Sequence, residues 1–218
     1  MESRVQKSVL NAKVNLIFYF AILILSFFSR RIFLDNLGAD FIGFTGTLSN
    51  LLGFLNLAEL GIASAIGYVL YQPLFDGDQK QIIKIISVFG YLYKVVGLII
   101  LTAGCILSLF LTLIFPNTGI DTGIIYFAFF SYLTSSLIGY FANYKQTLLA
   151  ADQRNYIVTA YFQSASIVRI CIQMIVAYKT KSYFWWILID LCFGIIHSII
   201  LNWKINKVYP WLKTRSKD

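Results

Sequence analysis

Apolar residues collect in six long runs along the chain, and few charges interrupt them. A helix that crosses about 30 Å of hydrocarbon needs roughly 20 apolar residues, because it rises about 1.5 Å per residue. Each run reaches that length, so the pattern predicts an all-α fold with six transmembrane helices. The predicted helices cover about 14–34, 41–71, 85–115, 124–143, 156–178 and 184–203. Short polar stretches that contain Gly, Pro, Asn or Asp separate most of them, as is typical of turns.

The composition supports a membrane protein. Of 218 residues, 58% are hydrophobic and 13% are charged, whereas a soluble domain carries about a quarter charged residues. The three cysteines lie singly within apolar runs and there is one histidine, so neither a metal centre nor a disulfide framework is expected, and no cofactor is predicted. The first run is followed by Ser29-Arg30-Arg31 instead of a cleavage site, which indicates an anchor that is retained.

The net charge of +8 comes from basic residues dispersed between the apolar runs, which argues against nucleic acid as a partner. Their distribution indicates the orientation instead, since cytoplasmic loops carry an excess of Lys and Arg. With the N-terminus inside, twelve of the 18 basic residues are cytoplasmic, four are external and two lie within helices. The sequence therefore predicts that both termini are cytoplasmic.

Polar side chains recur along the fifth predicted helix. They are separated by four, three, three and four positions, which places them on one helical face. They are Thr159, Gln163, Ser166, Arg169 and Gln173. Two interpretations are open: hydrogen bonds that hold neighbouring helices together, or the wall of a water-accessible cavity. The arginine favours the cavity, because helix packing does not need a permanent charge.

Ionisable residues on other helices extend this candidate cavity. On the second helix Asn56 and Glu59 share a face, and Glu59 must be protonated, paired or hydrated so deep in an apolar run. On the sixth helix Asp190 and His197 lie on one side, about 10 Å apart along the axis. That separation is too long for a catalytic acid–base pair, so an enzyme is not predicted. Lys94 on the third helix either lines the cavity or extends to the membrane interface.

The sequence thus gives two sets of candidate site residues. The predicted substrate cavity consists of Arg169, Gln163, Gln173, Arg31, Glu59, Asn56 and Lys94. The candidates for binding a coupling ion or proton are Glu59, Asp190 and His197.

Glycines mark the helix faces that are expected to pack closely. Gly90, Gly97 and Gly104 recur every seven residues and form a smooth stripe on the third helix. The second helix has two similar motifs, Gly61-x-x-x-Ala65 and Ala63-x-x-x-Gly67. Both patterns predict close approach of a neighbouring helix.

Four short stretches, in this order and spacing, resemble the oligosaccharide flippases, the Wzx-type members of the multidrug/oligosaccharidyl-lipid/polysaccharide exporter superfamily. Together they cover nearly the whole chain. The first is similar to the junction of helices one and two, the second to the helix-two motif, and the last two to cytoplasmic loops. They are Arg31-Ile32-Phe33-Leu34-Asp35-Asn36-Leu37-Gly38 followed by Gly43, Leu57-Ala58-Glu59-Leu60-Gly61-Ile62, Tyr71-Gln72-Pro73-Leu74, and Leu149-Ala150-Ala151-Asp152-Gln153-Arg154-Asn155-Tyr156.

The resemblance implies a carrier that moves undecaprenyl-pyrophosphate-linked oligosaccharide, an O-antigen or capsule unit, across the bacterial inner membrane. Such carriers have two six-helix lobes around a cationic cavity, in a fold like that of the multidrug exporters (MATE-like). This chain corresponds to the N-terminal lobe, so a second six-helix lobe or a homodimer partner is expected, along with polysaccharide assembly proteins. Arg31 and Glu59 match motif positions, whereas Arg169, Lys94, Asp190 and His197 rest on the helical-face argument alone.

Two alternatives remain open from the sequence. A cation-coupled multidrug exporter of the same fold would use an apolar cavity with a carboxylate, for which Glu59 or Asp190 is suited. A membrane assembly subunit that transports nothing is the other. The cationic excess on the fifth helix favours the anionic lipid substrate over the cationic drug.

Overall fold

The computed structural model describes residues 4–56, 61–116 and 118–212, and within these ranges the chain forms nine α-helices and no strand. The helices are α1 Arg4–Leu37, α2 Ala39–Leu55, α3 Ile62–Asp76, α4 Gln79–Ser108, α5 Leu111–Ile114, α6 Thr122–Phe141, α7 Gln146–Ala151, α8 Asn155–Thr180 and α9 Tyr183–Val208. The long helices run alternately up and down, so α7 marks one end of the bundle and α5 marks the other. These are called the α7 end and the α5 end below.

Five helices, α1, α4, α6, α8 and α9, are long and apolar enough to cross a membrane. Their outer faces carry large exposed apolar side chains, such as Leu16 and Phe27 on α1 and Leu98 on α4. Such a surface is unfavourable in water and suited to lipid. The chain is therefore an all-helical protein whose five apolar helices indicate an integral membrane protein, as the hydrophobic pattern predicts.

The second predicted span, 41–71, forms two helices instead of one. The helix α2 has 17 residues and ends at Leu55, and α3 begins at Ile62. Gly61, directly before α3, has φ +89°, in the left-handed region that glycine enters without a steric penalty. A single α-helix does not pass through a residue with that backbone, so the prediction of one continuous helix is wrong.

Other predicted boundaries also differ, mostly because polar residues belong to helices. The helix α1 begins at Arg4, ten residues before the predicted start, and the predicted span 85–115 divides into α4 and the short helix α5. The helix α4 begins at Gln79, six residues before the predicted start. Asp78 caps it, since its Oδ1 accepts a hydrogen bond of 3.0 Å from the Gln81 amide. The polar stretch between α6 and α8, predicted as a loop, contains the single-turn helix α7.

The glycine stripe of α4 packs directly against α6 and the residues that follow it. A Cβ atom added at Gly104 would lie 2.7 Å from Leu133 Cδ2, and one at Gly97 would lie 2.9 Å from Phe141 Cζ. Real Cβ atoms do not approach other atoms that closely, so only glycine fits at these positions. The prediction that the seven-residue spacing marks a close helix contact is therefore confirmed for α4 and α6. Gly61 and Gly67 do not mark such a contact among the described residues, because a Cβ at either position would meet nothing within 4 Å there.

Four polar residues connect α1 to the α7 end and are called the Asp152 cluster below: Lys7, Asp152, Arg154 and Tyr209. Asp152 Oδ1 accepts a hydrogen bond of 2.8 Å from the buried Lys7 ammonium, and its Oδ2 accepts one of 2.9 Å from the Tyr209 hydroxyl. Arg154 Nε lies 2.7 Å from the same Oδ2. The Asn11 amide adds a hydrogen bond of 2.9 Å to the Gln153 carbonyl. The cluster thus joins α1, the turn before α8 and the segment after α9.

The Asp152 cluster should make stability fall in alkaline solution. Burial, together with the negative charge of Asp152, raises the pKa of the Tyr209 phenol above its ordinary value of 10.0. Its contribution to stability is therefore complete below pH 10 and is lost as the pH rises beyond it. Above pH 10 the free energy of unfolding should fall by up to about 1.4 kcal/mol per pH unit from this group. Denaturant unfolding in detergent across pH 8–11 measures this slope.

Tyr209→Phe is the matched control, since it removes the titrating hydroxyl and keeps the ring. All other titratable groups are the same in both proteins, so the difference between the two slopes isolates Tyr209. Equal slopes for the two proteins would contradict the assignment.

Candidate functional site

A charged pair joins α8 and α9 within the apolar bundle. Arg169 lies near the centre of α8, and its Nη1 donates a hydrogen bond to Asp190 Oδ1. Their side chains are 30% and 16% exposed. Either charge alone would be costly in hydrocarbon, so each requires the other or water. The pair is not fully enclosed, because space adjoins it on two sides.

The first of these spaces, the polar cavity, lies among α6, α8 and α9 and has a volume of about 370 Å³. It extends from the charged pair to Gln146, the first residue of α7, and so reaches towards the α7 end. Its polar lining includes Ser135, Asn143, Ser166, Arg169, Asp190 and His197.

The second space, the α2 cavity, has a volume of about 550 Å³ and lies among α1, α2, α6, α8 and α9. Its lining includes Phe33, Thr45, Ser49, Tyr132 and Trp186. Three residues line both cavities, namely Ser135, Arg169 and Asp190. The charged pair therefore lies at the boundary between two spaces, and together they extend along much of the bundle.

Two buried polar atoms of the polar cavity lack a hydrogen-bond partner among the described residues, Ser135 Oγ and His197 Nε2. His197 is 8% exposed and its ring meets the Phe162 ring edge to face, with the centroids 4.8 Å apart. Buried polar atoms in proteins are almost always hydrogen-bonded, to water where no protein group is near. The polar cavity is thus suited to water or to a polar ligand.

The structure brings together three of the residues predicted from sequence, Arg169, Asp190 and His197, around the polar cavity. Two others serve packing. The Gln173 amide is 2% exposed and donates to the Trp186 carbonyl at 3.0 Å. Asn56 Oδ1 accepts hydrogen bonds from Ser136 and Tyr140 of α6, at 2.9 and 3.1 Å.

The placement of the remaining predicted cavity residues corrects the expectation of a cationic pocket. Arg31 is exposed at the α5 end of α1, 3.8 Å from Asp35, and lines neither cavity. Lys94 lies on an exposed face of α4, and Gln163 lies outside both linings. Glu59 lies outside the described residues. The described charged groups that line the two cavities are therefore Arg169 and Asp190, whose charges cancel.

Sequence reasoning missed Asn143, which organises the α7 end of the polar cavity. Its Oδ1 accepts hydrogen bonds from Ser198 at 2.7 Å and from the Asn202 amide at 3.0 Å, both on α9. The sequence does contain one signal for this group of polar residues: Ser198 and Asn202 are four residues apart, which places both side chains on the same face of α9. Asn143 itself is the last residue of the predicted helix 124–143, and it lies two residues beyond the end of α6.

No protein-family model, curated protein or solved structure matches this chain. The class of the protein rests on the helices and on the site alone: a helical membrane protein with a charged pair beside two open cavities.

Proposed function

We propose that this chain is a transport protein of polysaccharide biosynthesis that moves an undecaprenyl-pyrophosphate-linked oligosaccharide, such as an O-antigen or capsule unit, across the bacterial inner membrane. The observation that carries the proposal is Arg169, a permanent cation near the centre of α8 that borders two cavities. Charges in such positions usually serve transport pathways rather than packing. A guanidinium is also the side chain best suited to a pyrophosphate, because it donates parallel hydrogen bonds to two oxygens.

Membrane orientation and partners follow in the same proposal. In this proposal the α7 end lies in the cytoplasm and the α5 end outside, an orientation that the excess of Lys and Arg favours. The chain acts as one lobe, with a second six-helix lobe or a second copy completing the carrier, beside the proteins of polysaccharide assembly. It is a carrier and not an enzyme in this proposal, because it only has to bind and release its substrate.

The neutral charge of the site sets a condition on substrate binding. Arg169 is already paired with the Asp190 carboxylate, so the site carries no net positive charge. A pyrophosphate must therefore displace this carboxylate in order to bind the guanidinium. The cavities leave room for that exchange, since both border the pair. Lipid-linked sugars are larger than either cavity, so the proposal assigns the sugar to the space between this lobe and its partner.

A second candidate is an exporter of organic cations, and one observation favours it. Three aromatic side chains, Phe33, Tyr132 and Trp186, line the α2 cavity together with Asp190. Aromatic faces beside a carboxylate are suited to an organic cation. Here Asp190 would bind the drug after releasing Arg169.

A transport assay with two probes separates these proposals. The full chain, purified with any lobe or copy that accompanies it, is reconstituted in liposomes that contain a polyprenyl-pyrophosphate disaccharide with a fluorescent label. Translocation is measured as the label that becomes accessible to an impermeant quencher. The double variant Arg169→Gln/Asp190→Asn should lower the rate at least tenfold, because it keeps a hydrogen-bonded pair and removes the cation that binds pyrophosphate.

Lys94→Gln is the matched control, since it removes an intrahelical cation that lines neither cavity, and its rate should equal that of the original protein. Ethidium in the same liposomes tests the second candidate. Transport of ethidium alone would replace the first proposal by the second. If neither probe moves, both are wrong, and the protein is better explained as an assembly subunit.

A further inference from the structure

A groove between α1 and α8 opens onto the outer surface of the bundle. It has a volume of about 390 Å³, and its lining surface is apolar. Ile175 and Tyr178, which belong to the lining, are exposed. This space is called the α1–α8 groove below. Its lining residues are Ile32, Cys171, Met174, Ile175, Tyr178 and Lys179.

The position and length of the α1–α8 groove suit a lipid acyl chain. Lys179 lies in the last turn of α8, so the groove begins at the α5 end and follows α8 towards the bilayer centre as far as Cys171. Eight residues of helix rise about 12 Å, and the hydrocarbon of one leaflet is about 15 Å thick, half of the bilayer core. The groove is therefore about as deep as the chain region of that leaflet.

Four basic residues gather at the α5 end of the groove. Ile32 of α1 and Lys179 of α8 line the same space, so the two helix ends lie side by side. Arg30 and Arg31 directly precede Ile32, and Lys181 comes two residues after Lys179. All four cations are exposed. Their concentration on two adjacent helix ends is unusual, because membrane proteins place most Lys and Arg in the cytoplasm and the external segment 109–121 carries none.

The described carboxylates of the α5 end do not cancel this charge at the groove, since none of them lines it. Asp35 lies 3.8 Å from Arg31, but both side chains are largely exposed to solvent, which weakens their attraction. Asp121 Oδ1 accepts a hydrogen bond of 2.8 Å from the Gly123 amide at the start of α6. Asp40 lies in the first turn of α2, where a negative charge is stabilised by the helix dipole.

We infer that the α1–α8 groove binds an anionic phospholipid of the surrounding membrane. One acyl chain lies in the groove along α8, and the phosphodiester is held at the rim by Lys179 and the adjacent cations. Lys179 lines the groove through its apolar stem, since the lining surface is apolar, and its ammonium group extends to the rim. Hydrogen bonds between a charged donor and a phosphate are stronger than those between neutral groups.

The location of the groove favours a resident membrane lipid over the transported substrate. It faces the bilayer, and it shares no lining residue with the polar cavity or the α2 cavity. In the orientation proposed above, the bound lipid belongs to the outer leaflet. The inference does not depend on what the protein transports.

Photo-cross-linking of the full chain in nanodiscs tests the inference. The discs consist of phosphatidylcholine with a small fraction of phosphatidylglycerol that carries a diazirine in its acyl chain, and mass spectrometry locates the labelled residues. Phosphatidylcholine with the same diazirine chain gives the reference. We expect phosphatidylglycerol to label Met174 and Ile175 at least about fivefold more than the reference does, the factor that corresponds to about 1 kcal/mol for one cation at a membrane surface.

A pair of charge variants tests the rim. Lys179→Gln/Lys181→Gln should lower the labelling by phosphatidylglycerol at least about fivefold and leave the labelling by phosphatidylcholine unchanged. Lys204→Gln/Lys207→Gln makes the same chemical change near the α7 end of α9, so the labelling of the groove should stay as it is in the original protein.

A pair of cysteine variants tests the groove itself. Cys171→Phe fills part of the space beside α8 and should lower the labelling of Ile175 by both lipids. Cys105→Phe is the matched control, because it makes the same change at an exposed cysteine of α4 that does not line the groove.

Several results would overturn the inference. Equal labelling by the two lipids would mean ordinary contact with the bilayer, and an equal loss in Lys204→Gln/Lys207→Gln would assign the preference to overall charge. Displacement of the label by farnesyl pyrophosphate, but not by unlabelled phosphatidylglycerol, would assign the groove to a prenyl ligand. Displacement by free glycerol phosphate would mean that a head group alone is bound. No label in the groove from either lipid would leave it to a second copy of the chain. Each of these results leaves the transport assay unaffected, so failure of this inference is distinguishable from failure of the proposed function.

Discussion

Replacing Arg169 by alanine should lower the free energy of unfolding by roughly 2–4 kcal/mol, the cost of leaving one member of a partly buried ion pair alone. Asp190 is 16% exposed and lies in an apolar bundle, so water cannot fully replace the lost guanidinium. The estimate is placed towards the lower part of the known range, because the pair borders two cavities. Unfolding in mixed detergent micelles, followed by circular dichroism, measures the change.

A double-mutant cycle distinguishes the pair from the bulk of the arginine side chain. Arg169→Gln and Asp190→Asn each leave one charge without its partner, whereas the double variant leaves neutral amides that still hydrogen-bond. The double variant should therefore be more stable than either single one, with a coupling energy of about 1–3 kcal/mol. Lys94→Ala, which removes an exposed cation, should change stability by less than about 0.5 kcal/mol. Additive effects of the two single changes would mean that the charges do not depend on each other.

The charged pair also shows how far the sequence predicts the site. Helical spacing groups five residues on one face of α8, and two of them, Ser166 and Arg169, line the polar cavity beside Asp190 and His197 of α9. Spacing does not say which neighbour each residue meets. Gln173 shares the face of Arg169 but lies where α9 approaches, so its amide binds the Trp186 carbonyl instead of facing open space.

The neutral charge of the two cavities was not predictable from charge counts, for a related reason. A count treats Arg31, Lys94 and Arg169 alike, although only the last lines a cavity. Arg31 lies near the end of α1, where an exposed arginine can reach water, and Lys94 lies on an outer face of α4. The long side chains of both residues allow their charges to extend to the membrane interface at little cost.

The sequence did not predict that the second span divides into the two helices α2 and α3, because the hydrophobic pattern continues through the whole span. Residues 41–71 are apolar enough to span a membrane as one helix, and helices tolerate single glycines at a cost of about 1 kcal/mol. The left-handed backbone of Gly61 follows from tertiary structure, which hydrophobic periodicity does not report. The same limit explains why Gly61 and Gly67 were assigned to close packing, although a Cβ at either position would meet no described atom within 4 Å.

Adding side chains to the glycine stripe should separate α4 from α6. Gly104→Val should lower the free energy of unfolding by about 1–3 kcal/mol, the usual cost of overpacking a filled interface. The neighbouring Leu133 is 1% exposed and belongs to the main hydrophobic core, so it has little room to move away. The double variant Gly97→Val/Gly104→Val should lose more, because its second Cβ meets Phe141 and Tyr140 as well. Unfolding in mixed micelles measures both.

Gly67→Val in α3 is the matched control, because it makes the same chemical change at a helical glycine whose Cβ would meet nothing within 4 Å. Its stability should change by less than about 0.5 kcal/mol. If Gly67→Val destabilised the protein as much as Gly104→Val, the cost would come from valine within a helix and not from the α4–α6 interface. A loss confined to the α4 stripe would instead mean that the seven-residue spacing reports helix contact, whereas small residues four apart in α3 do not.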